Sequence, residues 1–109
     1  MRLISQDGTL DFPYELSAIR INNEVITMTM CEETAYRNVV ARYSTKEKAV
    51  KAMEMLREQY ARIEIIKVLA SGTCKHMEES LEPKEFKDIL KQYINMEVFQ
   101  FPQDDEIEV

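Results

Sequence analysis

The side chains best suited to chemistry in this sequence are guanidinium groups and aromatic rings. Guanidinium groups bind phosphate through paired N–H donors, and aromatic rings stack on nucleotide bases. The candidates for contact with such a ligand are Arg2, Tyr14, Arg20, Arg37, Arg42, Arg57, Phe99 and Phe101. Arginines on strands are also commonly solvated or paired with carboxylates, and aromatic residues of a terminal strand are commonly core. These residue types therefore indicate binding of a phosphate-bearing ligand, with a structural role as the alternative.

Residues typical of catalytic and metal sites lack the spacing that such sites need. Cys74 and His76 are two residues apart, but a structural zinc site uses four ligands in paired spacings, and only Cys31 remains as a further, distant thiolate. Catalytic thiols and bases usually converge from separate elements, so this pair indicates a polar loop after Gly72. The two glycines in the chain leave no glycine-rich phosphate loop. The sequence therefore predicts a non-enzymatic protein without a metal or a cofactor.

Length and charge restrict the class of protein and its partners. A chain of 109 residues fits one domain, small enough that a second copy would help it bury surface, so we expect a homo-oligomer. Four of the net six negative charges come from residues 104–108, so the rest of the chain carries −2. Duplex-binding domains concentrate basic residues in a stripe, and this chain has none. Duplex nucleic acid is therefore not an expected partner.

The distribution of apolar residues indicates where in the cell the protein is expected. No apolar run approaches the roughly 20 residues needed to cross a bilayer, so no membrane partner is expected. The sequence begins with one arginine and then turns polar, without the apolar segment of a secretory signal. We therefore expect a cytoplasmic protein, in which Cys31 and Cys74 are free thiols.

Two hairpins dominate the first third of the chain. The pairs Asp7-Gly8 and Asn22-Asn23 tolerate positive φ and are typical of two-residue hairpin turns. The second turn predicts that Ile19 lies opposite Ile26. Including the later segments, strands are expected at residues 3–5, 9–12, 17–21, 24–30, 36–43 and 96–101.

Alternation of apolar and polar residues predicts which side chains share a face. The first turn sets Leu3 opposite Phe12. The strand at 36–43 places Val39, Ala41 and Tyr43 on one face by the same alternation. A strand with one solvent-exposed face needs polar residues on that face. Much of the polar character of the first fifteen residues is therefore explained by the fold.

Helical periodicity begins after residue 43. Ser44 and Glu47 have the spacing of a capping box, which predicts a helix start there. The apolar stripe of this helix is Ala49, Ala52, Met53, Leu56 and Tyr60. Residues 61–70 fit either a longer helix or a strand, and their β-branched residues favour a strand. A second helix is predicted from Pro83, with Phe86, Ile89, Leu90, Tyr93 and Ile94 as its stripe.

The predicted fold class is α+β, with an antiparallel sheet of about five strands and two helices packed against it. A single domain is expected over residues 1–103. Residues 104–109 are expected to form an acidic tail that frays.

Three blocks of the sequence resemble a known group of proteins. The blocks are R-L-I-S-Q-D-G-T-L-D-F-P-Y-E, A-R-Y-S-T-K-E-K-A-V-K-A-M-E-M-L-R-E-Q-Y and F-Q-F-P-Q-D-D-E. In this order they resemble short proteins carried by phages and prophages of Firmicutes. The resemblance covers residues 2–15, 41–60 and 99–106, and it implies a phage or prophage setting inside the host cytoplasm.

That setting implies a role against host immunity. In size and in its plan of a sheet with two helices, the chain is also similar to Thoeris anti-defence proteins, which sequester cyclic ADP-ribose-type or cyclic oligonucleotide signals. The resemblance thus implies a sponge for a cyclic nucleotide or ADP-ribose-type ligand, held in an oligomer interface. Two alternatives remain: an anti-CRISPR-like inhibitor that binds a host defence protein, such as a nuclease or effector, and a minor phage accessory or structural protein.

Overall fold

The computed structural model describes residues 1–30, 37–80 and 83–108, and within them the chain forms strands, two helices and two short 3₁₀ turns. The strands are β1 Arg2–Ile4, β2 Asp11–Pro13, β3 Ser17–Asn22, β4 Val25–Met30, β5 Asn38–Arg42 and β6 Val98–Gln100. The helices are α1 Lys46–Ser80 and α2 Pro83–Met96, and the 3₁₀ turns are Tyr14–Leu16 and Asp104–Glu106. The predicted α+β class is confirmed. The prediction of one five-stranded sheet is wrong, because the strands form two sheets of three.

Sheet 1 joins the two ends of the chain in the order β2-β1-β6. The β1–β2 pair is antiparallel and sets Leu3 opposite Phe12, as the sequence predicted. The β1–β6 pair is parallel and sets Leu3 beside Phe99. The expectation of a purely antiparallel sheet is therefore corrected, because the segment after α2 returns in the same direction as β1.

The first hairpin turn uses its polar side chains to hold itself together. Gly8 has φ 78°, a conformation that side chains rarely adopt. Asp7 Oδ1 accepts hydrogen bonds from Ser5 Oγ at 2.6 Å, Thr9 Oγ1 at 2.7 Å and Thr9 N at 3.0 Å. These bonds lower the pKa of Asp7 to about 2. Most polar side chains of residues 5–9 therefore form hydrogen bonds within the turn.

Sheet 2 has the order β3-β4-β5 and is antiparallel throughout. Ile19 lies opposite Met28, and Ile21 lies opposite Ile26, so the predicted pairing of Ile19 with Ile26 is wrong by two residues. The turn lies one residue later than predicted, because Asn23 adopts the positive φ of 56°. A shift of two preserves the face of every side chain, so the predicted apolar side of this hairpin still faces the core.

A β-bulge interrupts the pairing of β4 with β5. Ile26 pairs with Ala41, but Thr27 pairs with Val39, so Val40 is the extra residue. The bulge turns Val40 inward beside Ala41, each 2% exposed, and leaves Val39 41% exposed. The predicted face of Val39 with Ala41 is therefore wrong. Residue 36, the predicted start of this strand, lies outside the described residues.

Gln6 connects the two sheets at the bulge. Its backbone N–H donates to Val40 O at 2.7 Å, and its side-chain Oε1 accepts from Arg42 N at 2.9 Å. Its Nε2 donates to Pro102 O at 3.1 Å, and Tyr43 Oη donates to the same carbonyl at 2.8 Å. Two backbone groups at the outer edge of β5, Val40 O and Arg42 N, are thus satisfied by Gln6, which follows β1.

Replacing Gln6 by alanine is expected to lower the free energy of unfolding by about 1–2 kcal/mol, because the Arg42 N–H loses its acceptor and the Pro102 carbonyl keeps only the bond from Tyr43 Oη. Urea denaturation followed by circular dichroism measures the change. Gln92→Ala, at an exposed position of α2, is the matched control and should stay within about 0.5 kcal/mol of the parent chain. Equal stability of both variants would contradict the role of Gln6.

Helix α1 begins one residue later than the capping-box prediction. Thr45 Oγ1 accepts from Lys48 N at 3.2 Å, which is the N-cap contact. The Ser44 amide instead donates to Asp104 Oδ1 at 2.7 Å, so Ser44 does not form the predicted box with Glu47. The predicted apolar stripe is confirmed, since Ala49, Ala52 and Leu56 are at most 1% exposed.

Helix α1 also continues through residues 61–70, where a strand was favoured. Ile63 is 0% exposed and extends the stripe of Leu56 by two turns, whereas Ile65 is 61% exposed. Burial of one helical face outweighs the modest strand preference of β-branched residues. The polar loop predicted after Gly72 is also wrong, because Cys74 and His76 lie within α1.

Helix α2 begins at Pro83 as predicted and ends before β6. Ile94 is 62% exposed, so it does not belong to the buried face that the periodicity predicted. The side chains of Phe86, Ile89, Leu90 and Tyr93 lie outside the described part of the chain. Strand β6 covers only the centre of the predicted strand at 96–101.

The acidic end of the chain packs against the start of α1. Asp104 Oδ2 lies 3.3 Å from Lys48 Nζ, which also donates to the Asp104 carbonyl at 2.9 Å. Hydrogen bonds from Ser44 and Lys48 lower the pKa of Asp104, against the raising effect of desolvation. Ile107 is 4% exposed and belongs to the core. Residues 104–108 are thus ordered by contacts, contrary to the expected frayed tail.

Candidate ligand-binding face

The structure brings three of the candidate arginines to the solvent side of sheet 2. Register places Arg20 opposite Thr27, Thr27 opposite Val39, and Val25 opposite Arg42. The intervening residues of β4 point inward, so these side chains share the outer face. Arg37, two residues before Val39, continues the same alternation and is exposed. We call this surface the arginine face: Arg20, Arg37 and Arg42 around a floor of Val25, Thr27 and Val39.

The guanidinium groups of the arginine face are available to a ligand. All three residues are exposed, and within the described residues none of them forms an ion pair. The strand positions of the floor carry no charge of their own, and Glu24, in the β3–β4 turn, is the acidic group at the rim. The face therefore combines mobile cations with an uncharged surface, an arrangement suited to a multiply charged anion.

An open concavity lies at one end of this face. Its volume is about 640 Å³, and it is lined by Asn22, Asn23, Glu24, Val25, Thr27, Val39, Arg42 and Lys46. Lys46, the first residue of α1, adds a fourth cation that the sequence reasoning did not select. Strand spacing of about 4.8 Å and a same-face step of about 6.8 Å put the Cα atoms of Arg20 and Arg42 about 12 Å apart. Two long side chains can reach one ligand across that distance.

Tyr14 and Arg57 meet in a second place, the aromatic cleft. This cleft of about 580 Å³ lies between the 3₁₀ turn Tyr14–Leu16, β3 and α1, with Ile19 and Leu56 in its lining. The rings of Tyr14 and Tyr60 lie 4.5 Å apart at a tilt of 40°. Because Ile19 faces inward from β3, the aromatic cleft and the arginine face lie on opposite sides of sheet 2. One ligand cannot contact both in a single chain.

The remaining candidates have partners inside the protein. Arg2 Nε donates to Asp11 Oδ1 at 2.9 Å, and this carboxylate raises the pKa of Arg2. Phe99 is 6% and Phe101 is 1% exposed, and their rings pack edge to face with centroids 5.4 Å apart. Neither ring presents a face to solvent, so the structure places both in the core of sheet 1. The arginines of sheet 2 and these rings are therefore not assembled into one site.

The residues considered for a metal give no site within the described part of the chain, where no cluster of three or more His, Cys, Asp or Glu side chains could hold an ion. Cys31 lies outside the described residues, and so do the side chains of Cys74 and His76. No helix among residues 46–80 and 83–96 has the length and apolar character to cross a membrane.

Sequence reasoning missed Lys46 and Tyr60 as members of these surfaces. Tyr60 was assigned to the apolar stripe of α1, and its spacing from Leu56 gave no sign that the ring would meet Tyr14 across the fold. The pKa of the Tyr60 hydroxyl is raised, and burial is the largest of several causes. This is expected for a hydroxyl on a partly covered ring.

Comparison with other proteins adds nothing to the geometry. No protein-family model, no curated protein and no solved structure matches this chain. The arginine face and the aromatic cleft therefore rest on the contacts and exposures given above.

Proposed function

We propose that this protein is a non-enzymatic binding protein that captures a phosphate-bearing, nucleotide-type ligand on the arginine face. A cyclic nucleotide or an ADP-ribose derivative is the class of ligand proposed. The observation that carries the proposal is the convergence of Arg20, Arg37 and Arg42, each without an ion pair among the described residues, on one exposed sheet face. Guanidinium groups form bidentate, charge-assisted bonds with phosphate oxygens, stronger than bonds between neutral groups.

The floor of the face supports a small ligand with several charges. Thr27 offers a hydroxyl between the arginines, and Val25 and Val39 offer apolar area for a ring or ribose edge. No aromatic ring lies on the described outer face of sheet 2, so base stacking is not part of this proposal. Recognition would thus depend mainly on phosphate number and spacing.

In the phage or prophage setting implied by the three sequence blocks, such a protein would act in the host cytoplasm. It would lower the free concentration of a phosphate-bearing immune signal by binding it, without chemistry on the ligand. This extends the sponge hypothesis with a specific surface. It keeps the strand arginines of that hypothesis and leaves out Phe99 and Phe101, whose rings are buried.

The alternative of an inhibitor that inserts its acidic end into a nucleic-acid channel has less support. The carboxylate of Asp104 is engaged by the Ser44 amide and Lys48 Nζ. Asp105 and Glu106 remain exposed, but Glu106 Oε1 accepts from the Gln103 amide at 3.1 Å. Asp104 thus holds the chain end to the start of α1, and Glu106 closes the 3₁₀ turn, so part of the acidic charge serves the fold.

Calorimetric titration with cyclic dinucleotides, cyclic ADP-ribose, ADP-ribose and pyrophosphate tests the proposal. Arg42→Ala is expected to weaken binding of the best ligand by about 10- to 100-fold, because a hydrogen bond to a charged group contributes about 1.5–3 kcal/mol. Arg62→Ala, which removes an exposed arginine of α1, is the matched control and should change the affinity less than twofold.

Two results would reject the proposal. One is the absence of heat and of thermal stabilisation with every member of the panel. The other is equal weakening by Arg42→Ala and Arg62→Ala, which would indicate non-specific attraction by surface charge.

A further inference from the structure

We propose that a second copy of this chain pairs with β3 about a two-fold axis, so that the partner's Arg20 completes the anion-binding surface. The two copies would form one sheet of six strands, β5-β4-β3 and then the same strands in reverse order. The part of the inference that concerns the ligand rests on the proposed function, whereas the pairing itself does not.

The outer edge of β5 in sheet 2 is covered. Val40 O accepts from the Gln6 backbone N–H at 2.7 Å, and the Arg42 N–H donates to Gln6 Oε1 at 2.9 Å. The bulge at Val40 further distorts this edge. Covered and bulged edges resist pairing with another strand.

The two edges of sheet 1 are also unsuited to pairing. Along β6, Gln59 Nε2 donates to Met96 O at 2.7 Å and to Val98 O at 2.9 Å, so its side chain occupies the acceptors. Strand β2 has three residues and ends at Pro13, which has no N–H to donate. Both devices are common protections of an edge strand.

Strand β3 differs from these edges. It has six residues, no proline, and a regular ladder with β4 from Ser17 to Asn22. Because Asn22 pairs with Val25 across a two-residue turn, the register directs the backbone groups of Ile19 and Ile21 away from β4. Among the described strands, β3 is therefore the one long edge with unprotected hydrogen-bonding groups.

Strand β3 can pair with a second copy of itself in a register that keeps like charges from facing each other directly. Setting Ile19 opposite the partner's Ile19 places Arg20 opposite the partner's Ala18, and it allows about four main-chain hydrogen bonds. The two Arg20 residues are then diagonal neighbours, about 7–8 Å apart. The next possible register would set Arg20 directly opposite the partner's Arg20, where like charges are destabilising.

The chain exposes more surface than a compact monomer of its mass. The chain exposes 7745 Å², whereas a compact monomer of its 12.8 kDa mass is expected to expose about 6,300 Å². A stable dimer needs about 800 Å² from each partner. Leu16, which directly precedes β3, is 57% exposed, and Ile19 and Ile21 on its inner face are only half-buried. These apolar groups lie where the second copy would cover them.

The pairing changes the arginine face from three guanidinium groups to six around a two-fold axis. The two Arg20 side chains at the centre repel each other in the free dimer, and an anion between them removes that repulsion. The face would then suit a ligand with two phosphates related by two-fold symmetry, such as a cyclic dinucleotide. Ligand binding and dimerisation should strengthen each other.

Disulfide trapping tests the register. In a chain carrying Cys31→Ser and Cys74→Ser, the variant Ile19→Cys is expected to form a covalent dimer on mild oxidation, because its Cα atom lies about 5.5 Å from its counterpart in a hydrogen-bonded pair. Ile21→Cys is the matched control and should remain largely monomeric on a non-reducing gel, since the same register separates its two Cα atoms by about 14 Å. Equal trapping at both positions, or none at Ile19→Cys, would overturn the proposal.

Analytical ultracentrifugation without ligand, before and after addition of cyclic di-GMP, separates this inference from the proposed function. We expect dimers in the parent chain and at least a tenfold weaker dimer in Ala18→Arg, whose new cation would face the partner's Arg20. A parent chain that stays monomeric yet binds the dinucleotide would overturn the pairing and leave the proposed function standing. A dimer that binds no member of the calorimetric panel would overturn the proposed function and leave the pairing standing.

Discussion

Replacing Phe101 by alanine is expected to lower the free energy of unfolding by about 3–5 kcal/mol, the largest single effect in this chain. Phe101 is 1% exposed and packs edge to face against Phe99, with centroids 5.4 Å apart. Its backbone N–H also bonds to Ile4 O at 3.1 Å, so the ring sits where the chain end closes on β1. Removal of the ring would leave a cavity in the core that both sheets and α1 share. Urea denaturation followed by circular dichroism measures the loss.

A matched pair of variants separates this core role from a ligand role. Phe101→Leu fills most of the volume and should cost clearly less than Phe101→Ala. Val98→Ala, at a 38% exposed position of β6, the strand that precedes Phe101, should cost about 1 kcal/mol or less. If Phe101→Ala kept its stability while ligand affinity fell, the ring would belong to a binding site after all.

The second large effect is expected at Ile63 in α1. Ile63→Ala should lower the free energy of unfolding by about 2–5 kcal/mol, because the side chain is 0% exposed on the face that α1 turns to the core. Thermal denaturation would report a fall in melting temperature of roughly 4–8 °C per kcal/mol for a domain of this size.

Ile65 is the control, since a strand would put it on the same face as Ile63 and a helix does not. Ile65→Ala should be neutral or slightly stabilising, because Ile65 is 61% exposed and alanine has the higher helix propensity. Similar losses of stability at both positions would contradict a helix at residues 63–65 and support the strand interpretation.

Local signals in the sequence predicted local structure well. The Asp7-Gly8 turn, the pairing of Leu3 with Phe12 and the buried stripe of α1 all follow from residue types within a few positions of each other. The α+β class follows from the same periodicities. Such predictions succeed because turn chemistry and amphipathic periods are properties of short segments.

Features set by tertiary contact could not be predicted in this way. At the bulge, the outer backbone groups Val40 O and Arg42 N find their partners in Gln6, more than thirty residues earlier in the chain. The parallel pairing of β1 with β6 joins segments at opposite ends of the chain. Residues 61–70 form a helix because Ile63 is buried, and burial outweighs intrinsic preference.

The candidate site shows the same division. Alternation along the strands was enough to place Arg20, Arg37 and Arg42 on or beside strands, but their common face depends on strand order and on the bulge. The bulge brings Val39, and Arg37 two residues before it, to the same face as Arg42. For Phe99 and Phe101 the sequence left two interpretations open, contact with a ligand and the more usual place in the core. Only the position of β6 beside β1 decided that these rings are core.

The parallel pairing of β1 with β6 also affects how the chain acquires its fold during synthesis. Sheet 2 and the first turns of α1 depend on contacts between residues close in sequence, which form early. Sheet 1 must wait, because β1 gains its second neighbour only after residues 98–100 have been made. Until then the first hairpin has one free edge, and Leu3 lacks the ring of Phe99 beside it. We therefore expect the pairing of residues 98–100 with β1 to be a late step of folding, and the same step would bring Asp104 to the start of α1.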